Sequence, residues 1–236
     1  MLAMHVTTDI PCGNGRIHWI DPNNFEVELI AYSKQPRYTH FQIDNVRSPG
    51  THRIVLRPDS FFTGARFSRL ALKIWIRHLP DGDWSPLPDD KVRIAPEKIE
   101  FDLELTESSR LQISTEPPRP YGDTCKELMD IALERPSIAQ IHMIGASIES
   151  RPILLLRVTD QVHVNGIPGA EKRPVALLMS GEHATEFAGE ELNRGMLEAA
   201  LGDDRLGTEL RERYVLDFIL NTNPDGNYHG WHQYNA

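Results

Sequence analysis

The sequence has few cysteines and no long apolar run. Its 236 residues include only two cysteines, Cys12 and Cys125, which are far apart and form no CxxC pair. A disulfide framework or a cysteine-based metal cluster is therefore not expected, and a reducing cytoplasm is the expected location. No apolar run approaches the roughly 20 residues that span a bilayer, and no secretory signal pattern is visible, so no membrane association or export is expected.

Basic residues are also scarce relative to acidic ones. The chain has 25 Lys and Arg against 34 Asp and Glu, which gives a net charge of -9. Nucleic-acid binding depends on basic side chains that neutralise phosphates, so no nucleic-acid partner is expected. A mean hydropathy of -0.40 and 40% apolar residues are typical of a soluble globular protein with one large domain or two modest ones.

The first half alternates apolar and polar residues with a period of two, which predicts antiparallel β-strands. In residues 98–105, KIEFDLEL, every second residue is apolar and the others are mostly acidic. Proline, asparagine and glycine clusters separate such runs and indicate turns. The predicted strands are residues 16–20, 24–29, 38–43, 53–56, 68–78, 98–105 and 111–114. Seven or so short strands predict an N-terminal all-β sandwich over residues 1–118.

The pattern changes after the proline-rich segment 115–120. Residues 123–134 are predicted to form a helix that Asp123 or Thr124 caps, with an apolar stripe at Leu128, Ile131 and Ala132. Buried strands are predicted at 138–144, 153–158, 175–179 and 214–221, and a second amphipathic helix at 190–201. Buried runs that alternate with helices predict an α/β domain over residues 119–236, with a largely enclosed mixed sheet and flanking helices.

The stretch MSGEHATEF, residues 179–187, holds a histidine and a glutamate three residues apart between a strand and a helix. A helix that begins near Ala184 or Thr185 would place Glu186 in its first turn and His183 at or before the cap. Residues at this spacing lie on one side of a helix and can converge on one point, and both are zinc ligands. The same pattern is also found in ordinary strand-to-helix turns, where a first-turn glutamate is favourable, so the pair alone leaves both interpretations open.

A second motif, TNPDG at 222–226, follows the strand predicted at 214–221. Asn before Pro and then Asp-Gly predict a turn with a positive φ. In this order the two motifs resemble the zinc metallocarboxypeptidase family, and the earlier segment 141–153, IHMIGASIESRPI, is similar to that family's isoleucine-glycine-x-serine and arginine-proline-isoleucine stretch. The resemblance covers residues 119–236. A β-rich half that enters this domain through PPRPYGD resembles the cytosolic carboxypeptidase subgroup.

The resemblance implies zinc as cofactor, with His183 and Glu186 as the first two zinc ligands. It implies hydrolysis of C-terminal amino acids from peptides or proteins, whose C-termini would be the partners. The family's third histidine ligand, general-base glutamate and asparagine-arginine pair lie further along, so the chain resembles the N-terminal portion of a longer enzyme with an incomplete catalytic domain. No catalytic residue is expected before residue 236. Gln233 stands where the family usually has an arginine, unless the alignment slips by a residue or two.

Several alternatives remain open from the sequence. His229 or His232 could supply a third ligand, although loop histidines without a metal are more common. An N-acyl amino acid deacylase of related fold shares the HxxE chemistry. A non-catalytic binding or interaction module would instead use the β-sandwich, with a silent peptidase-like half. For residues 1–236 alone, weak metal binding and no peptidase activity are expected.

Overall fold

The computed structural model describes residues 4–30, 38–58, 60, 67, 73–160 and 173–231. These residues group into two compact units. The first runs to Pro118 and also includes residues 229–231, and the second runs from Arg119 to Tyr228. None of the described helices is both long enough and apolar enough to cross a membrane.

The first unit contains two five-stranded sheets. All neighbouring strands in them are antiparallel except β3 and β5, which are parallel. A short 3-10 helix, Asp89–Lys91, precedes β8. One sheet has the order β1 (His5–Thr7), β4 (His40–Asp44), β10 (Leu111–Ser114), β6 (Trp75–His78) and β7 (Ser85–Pro86). The other has the order β2 (Arg16–Trp19), β3 (Phe25–Glu28), β5 (Gly50–Arg57), β9 (Lys98–Leu105) and β8 (Val92–Ala95).

The two sheets contribute to one apolar core. In β9 the side chains of Ile99, Phe101, Leu103 and Leu105 are buried, as the alternation in KIEFDLEL predicts. Buried aromatic and aliphatic residues of both sheets belong to the same cluster. Of the strand predicted at 68–78, the structure shows only Trp75–His78, and residues 68–72 lie outside the described residues.

The second unit is a mixed four-stranded sheet with helices. The sheet order is β11 (Ala139–Ala146), β12 (Pro152–Val158), β14 (Val215–Ile219) and β13 (Val175–Met179). Only β13 and β14 are parallel, and the other two pairs are antiparallel. The helices are α1 (Tyr121–Glu134), α2 (Phe187–Leu201), α3 (Arg205–Arg213) and α4 (Pro224–His229).

One face of this sheet carries the core of the second unit. The predicted α1 stripe packs there, with Leu128 buried and Ile131 and Ala132 partly buried against the cluster. Strand β13 turns Ala176 and Leu178 towards this core. Its alternate residues Val175, Leu177 and Met179 are 61%, 55% and 46% exposed. The prediction of a buried strand at 175–179 is therefore wrong, because among the described residues nothing covers the face of β13 that carries these three side chains.

One helix prediction needs correction, and one helix was not predicted. Helix α1 begins at Tyr121 after Pro120, so neither Asp123 nor Thr124 caps it, and the Thr124 side chain is buried within the helix. Helix α3 was not predicted, because the segment 202–213 is dominated by charged residues and gives little apolar periodicity. Asp204 caps α3 by accepting a hydrogen bond from the Gly207 backbone N–H at 2.8 Å.

The Asp204 cap leads to a testable expectation. Asp204→Ala leaves the Gly207 N–H without its acceptor and is expected to destabilise the second unit by about 1 kcal/mol. Asp204→Asn keeps a side-chain oxygen at the cap and is expected to change stability much less. Urea unfolding followed by far-ultraviolet circular dichroism compares the two, since the described α-helices lie almost entirely in the second unit. Equal losses in both variants would show that the cap hydrogen bond contributes little.

Candidate metal site at the carboxyl edge of the parallel strands

The two motifs meet because β13 and β14 are parallel neighbours. Met179 lies opposite Ile219 at the ends of these strands, so the segments that follow both strands leave the sheet at the same edge. The Ser180 N–H donates to the Ile219 carbonyl, and the Thr222 N–H donates to the Ser180 carbonyl, each at 3.0 Å. These bonds continue the parallel ladder beyond the strands and hold the loop after β13 beside the loop after β14. Ligand sites of α/β sheets commonly lie at this edge.

Gly181 allows this close approach. Its φ is +76°, in the left-handed region where glycine is favoured. A Cβ at this position would lie 3.0 Å from the Asn221 Cα and 3.3 Å from the Leu220 carbonyl oxygen. A larger residue would therefore be strained and would also push the two loops apart.

The structure brings His183 and Glu186 together. The His183 Nδ1 lies 3.1 Å from the Glu186 Oε1, and both side chains are about half exposed. Helix α2 begins at Phe187, so Glu186 immediately precedes the helix, and the prediction that it lies in the first turn is wrong. The reason is a separate turn before the helix, in which the Glu186 N–H donates to the His183 carbonyl at 3.0 Å.

The donor atoms of this pair suit a zinc ion. Bonds of about 2.0–2.2 Å from a tetrahedral zinc separate two ligand atoms by about 3.3–3.5 Å, which is close to the observed distance between Nδ1 and Oε1. Nitrogen and carboxylate oxygen are both common zinc donors. Among the described residues, which include His229, no group of three histidine, cysteine or acidic side chains is placed to hold a metal. His232 and Gln233 lie outside the described residues.

The NPDG motif forms the start of a helix. Pro224 is the first residue of α4, where a missing N–H is tolerated, and the Asn223 Oδ1 accepts from the Gly226 N–H at 3.0 Å. Gly226 is not among the glycines with positive φ, so the prediction of a positive-φ turn is wrong. Asp225 and Gly226 are instead part of the first turn of α4, in which the Gly226 N–H is satisfied by the Asn223 side chain and the Asn227 N–H by the Asn223 carbonyl.

Two asparagine side chains of this region reach the loop that carries His183. The Asn223 Nδ2 donates to the Glu182 carbonyl at 3.3 Å. The Asn227 Nδ2 donates to the Ala184 carbonyl at 3.4 Å and to the Arg119 carbonyl at 3.0 Å. Both asparagines are buried. The turn prediction rested on Asp-Gly and did not single out the two asparagines, because their partners at Glu182, Ala184 and Arg119 are distant along the chain.

Asp225 joins α4 to the hairpin between β11 and β12. Its carboxylate accepts from the Ser147 Oγ at 2.6 Å, the Glu149 N–H at 3.1 Å and the Arg151 Nη1 at 2.5 Å. Burial alone would raise the pKa of Asp225, but these hydrogen bonds and the Arg151 charge outweigh it and lower the pKa. The Arg151 guanidinium also lies 4.0 Å from the centre of the Tyr228 ring. The segment IGASIESRPI and the NPDG motif are thus in direct contact.

Glu190, four residues after Glu186, is a buried acid that belongs to none of the motifs identified in the sequence. Its Oε1 accepts from the Thr124 Oγ1 of α1 at 2.5 Å, and the residue is 2% exposed. Burial raises the pKa of Glu190 to about 7. The only signal for it in the sequence is its helical spacing from Leu197, which places both residues on the buried side of α2.

A comparison with known protein families matches the part of the chain that contains the candidate site. Residues 124–235 match the family model described as zinc carboxypeptidase. This segment therefore carries the sequence pattern of a zinc carboxypeptidase domain. No curated protein sequence matches the chain.

Solved structures match both units. A carboxypeptidase A-like protein of Shewanella denitrificans OS-217 has a TM-score of 0.78 at 17% identity, with 99% of this chain and 58% of that chain covered. A metallo-carboxypeptidase of Pseudomonas aeruginosa, in complex with (2-guanidinoethylmercapto)succinic acid, has a TM-score of 0.74 at 20% identity, with 99% and 59% covered. A metallo-carboxypeptidase of Burkholderia cenocepacia has a TM-score of 0.75 at 17% identity, with 99% and 59% covered. The chain has their fold and spans somewhat less than three fifths of their length.

Proposed function

We propose that the whole protein is a zinc-dependent metallocarboxypeptidase that removes C-terminal amino acids from peptides or proteins in the cytoplasm. In this proposal residues 1–118 form a β-sandwich domain, as in the cytosolic carboxypeptidase subgroup, and residues 119–236 form part of the catalytic domain. The shared core of the two N-terminal sheets and the family match over 124–235 support this division.

One observation carries the proposal. His183 and Glu186 place two zinc-type donor atoms 3.1 Å apart at the carboxyl edge of a parallel strand pair, inside the segment that matches the zinc carboxypeptidase model. Their partial exposure leaves the pair open to a metal and a substrate. A buried ion pair in the same place would support a structural role instead.

The chemistry divides between the metal and the chain. A bound zinc ion polarises a carbonyl and lowers the pKa of a water ligand to about 7. In the proposed site His183 and Glu186 hold the metal, and the adjacent NPDG region supports their loop. The third protein ligand and the general base belong to residues outside those that the structure describes.

Metal analysis of the full-length protein tests the site. His183→Ala or Glu186→Gln is expected to reduce bound zinc more than tenfold after dialysis, because each removes one of three protein ligands. His18→Ala, in β2 of the other unit, is the matched control and is expected to keep the zinc content of the wild type. Unchanged zinc in the His183 and Glu186 variants would remove these residues from any metal site.

Activity assays separate the possible functions. The full-length protein is expected to release C-terminal residues from peptides and to lose this activity in the same two variants. Hydrolysis of N-acyl amino acids without peptide hydrolysis would indicate a deacylase. A folded protein that binds zinc and hydrolyses neither substrate class would support a binding module and contradict the proposed activity.

A further inference from the structure

We propose that Asn223 and Asn227 are positioning residues of the candidate metal site, acting on the loop that carries His183. The inference rests on the proposed function, because it assigns to these two side chains the task of fixing a metal ligand. Neither asparagine is proposed to touch zinc or substrate.

The geometry places one amide on each side of His183. The Asn223 Nδ2 holds the carbonyl of the preceding residue, Glu182, and the Asn227 Nδ2 holds the carbonyl of the following residue, Ala184. At 3.3 and 3.4 Å each bond is longer than the usual range of about 2.7–3.2 Å, so neither is expected to fix the loop alone. Together they restrain the peptide groups on both sides of the ligand.

The asparagines are themselves firmly held. The Asn223 Oδ1 accepts from the Gly226 N–H at 3.0 Å, and the Asn227 Oδ1 accepts from the Tyr121 N–H of α1 at 2.8 Å. Each side chain therefore uses its oxygen to fix its own orientation and its nitrogen to reach the loop. This arrangement also fixes which end of each amide faces the loop, since the two oxygens accept from backbone N–H groups.

Helix α4, which begins directly after Asn223 and contains Asn227, is anchored by the β11–β12 hairpin. Asp225 lies between the two asparagines and binds Ser147, the Glu149 N–H and Arg151 of the β11–β12 hairpin. A short helix of six residues would have little stability by itself. The hairpin therefore supports α4, and α4 supports the loop at Glu182 and Ala184. Groups that orient metal ligands in this way commonly change metal affinity 10–100-fold when they are lost.

Asn223→Asp and Asn227→Asp test the role with little change in shape. Each keeps the oxygen that accepts from Gly226 or Tyr121 and removes the amide that donates to the loop. In the full-length protein we expect the zinc dissociation constant, measured by chelator competition, to rise about tenfold or more in each variant. We also expect the absorption bands of the cobalt-substituted protein to shift, since ligand orientation changes.

Thr159→Val is the matched control. Thr159 is buried in the same unit and donates to the Tyr214 carbonyl at 3.0 Å, near the start of β14 and thus at the opposite end of the sheet from His183. It is expected to lower stability without changing the zinc dissociation constant or the cobalt spectrum. A rise in the dissociation constant of the same size in Thr159→Val would show a general effect of stability and overturn the positioning role.

Amide hydrogen exchange in the metal-free protein separates this inference from the proposed function. The Glu186 N–H, which donates to the His183 carbonyl, is expected to exchange faster in both asparagine variants than in the wild type and in Thr159→Val. Faster exchange in a protein that binds no zinc would contradict the proposed function and leave the loop restraint intact. Unchanged exchange together with unchanged zinc affinity would overturn the inference itself.

Discussion

Arg151→Met is expected to destabilise the second unit by about 3 kcal/mol. The substitution leaves the Asp225 carboxylate, whose side chain is 1% exposed, without its cationic partner. Removing one member of a buried ion pair costs about 3–5 kcal/mol because the remaining charge stays desolvated. We expect the lower end of this range, since Ser147 and the Glu149 N–H still donate to Asp225. Methionine keeps an apolar side chain beside the Tyr228 ring and so limits the loss of packing.

A double-mutant cycle in urea unfolding checks this expectation. Asp225→Asn removes the charge that Arg151 neutralises, so Arg151→Met is expected to cost much less in the Asp225→Asn background. Arg205→Ala is the surface control, because the Arg205 side chain is 91% exposed and pairs only with Glu209 along α3 in the described structure. It is expected to change stability by at most about 0.5 kcal/mol. Additive effects of the Arg151 and Asp225 substitutions would contradict the coupling.

Glu190→Gln is expected to stabilise the second unit at neutral and alkaline pH. Burial raises the pKa of Glu190 from 4.5 to about 7, so the folded protein binds a proton that the unfolded chain releases. The contribution of Glu190 to the free energy of unfolding is therefore fully present below about pH 4.5 and is lost as the pH rises to about 7. At about 1.4 kcal/mol per pKa unit, the loss is about 3 kcal/mol above that range. Glutamine avoids the ionisation and keeps an oxygen that accepts from Thr124.

The measurement is urea unfolding at about pH 5 and about pH 8. The gain from Glu190→Gln is expected to be about 2 kcal/mol larger at the higher pH. Glu191→Gln is the matched control, because the Glu191 side chain is 54% exposed and adjacent in sequence. Arg119 lowers the pKa of Glu190, whereas Glu191 and Glu127 raise it, so the control also measures the contribution of a neighbouring charge. A gain that does not depend on pH would show that Glu190 is already ionised in the folded protein at pH 5 and that its pKa is not raised by burial.

Short-range sequence patterns predicted the bounds of several strands and helices, but not their burial. The alternation in KIEFDLEL predicted β9 with its bounds, and the apolar run at 175–179 predicted the bounds of β13. Helix α2 ends where its pattern predicts but begins three residues earlier, at Phe187. The exposure of β13 was not predictable, because burial depends on which strands and helices lie beside it. Helix α3 was missed because its charged sequence shows no apolar periodicity. Asp204, which caps it, was the one local signal for its start.

The candidate site was predicted in the same partial way. The spacing of His183 and Glu186 suggested convergence, and the structure places their donor atoms close together. The supporting contacts of Asn223, Asn227 and Asp225 join residues that are 41 to 108 positions apart. A single sequence has no periodic signal for such contacts, since each depends on the register of the sheet and on the parallel pairing of β13 with β14. The family resemblance predicted zinc ligation by His183 and Glu186, whereas the contacts that support their loop are seen only in the structure.

Strand β13 has a consequence for the behaviour of this chain in solution. It presents Val175, Leu177 and Met179 on an exposed face, and within the described residues its outer backbone groups meet no further strand. Open strand edges with apolar side chains are prone to intermolecular pairing. The net charge of -9 opposes such contacts through mutual repulsion, which salt screens. Preparations of residues 1–236 are therefore expected to be most soluble at low ionic strength, well above the sequence pI of 5.6.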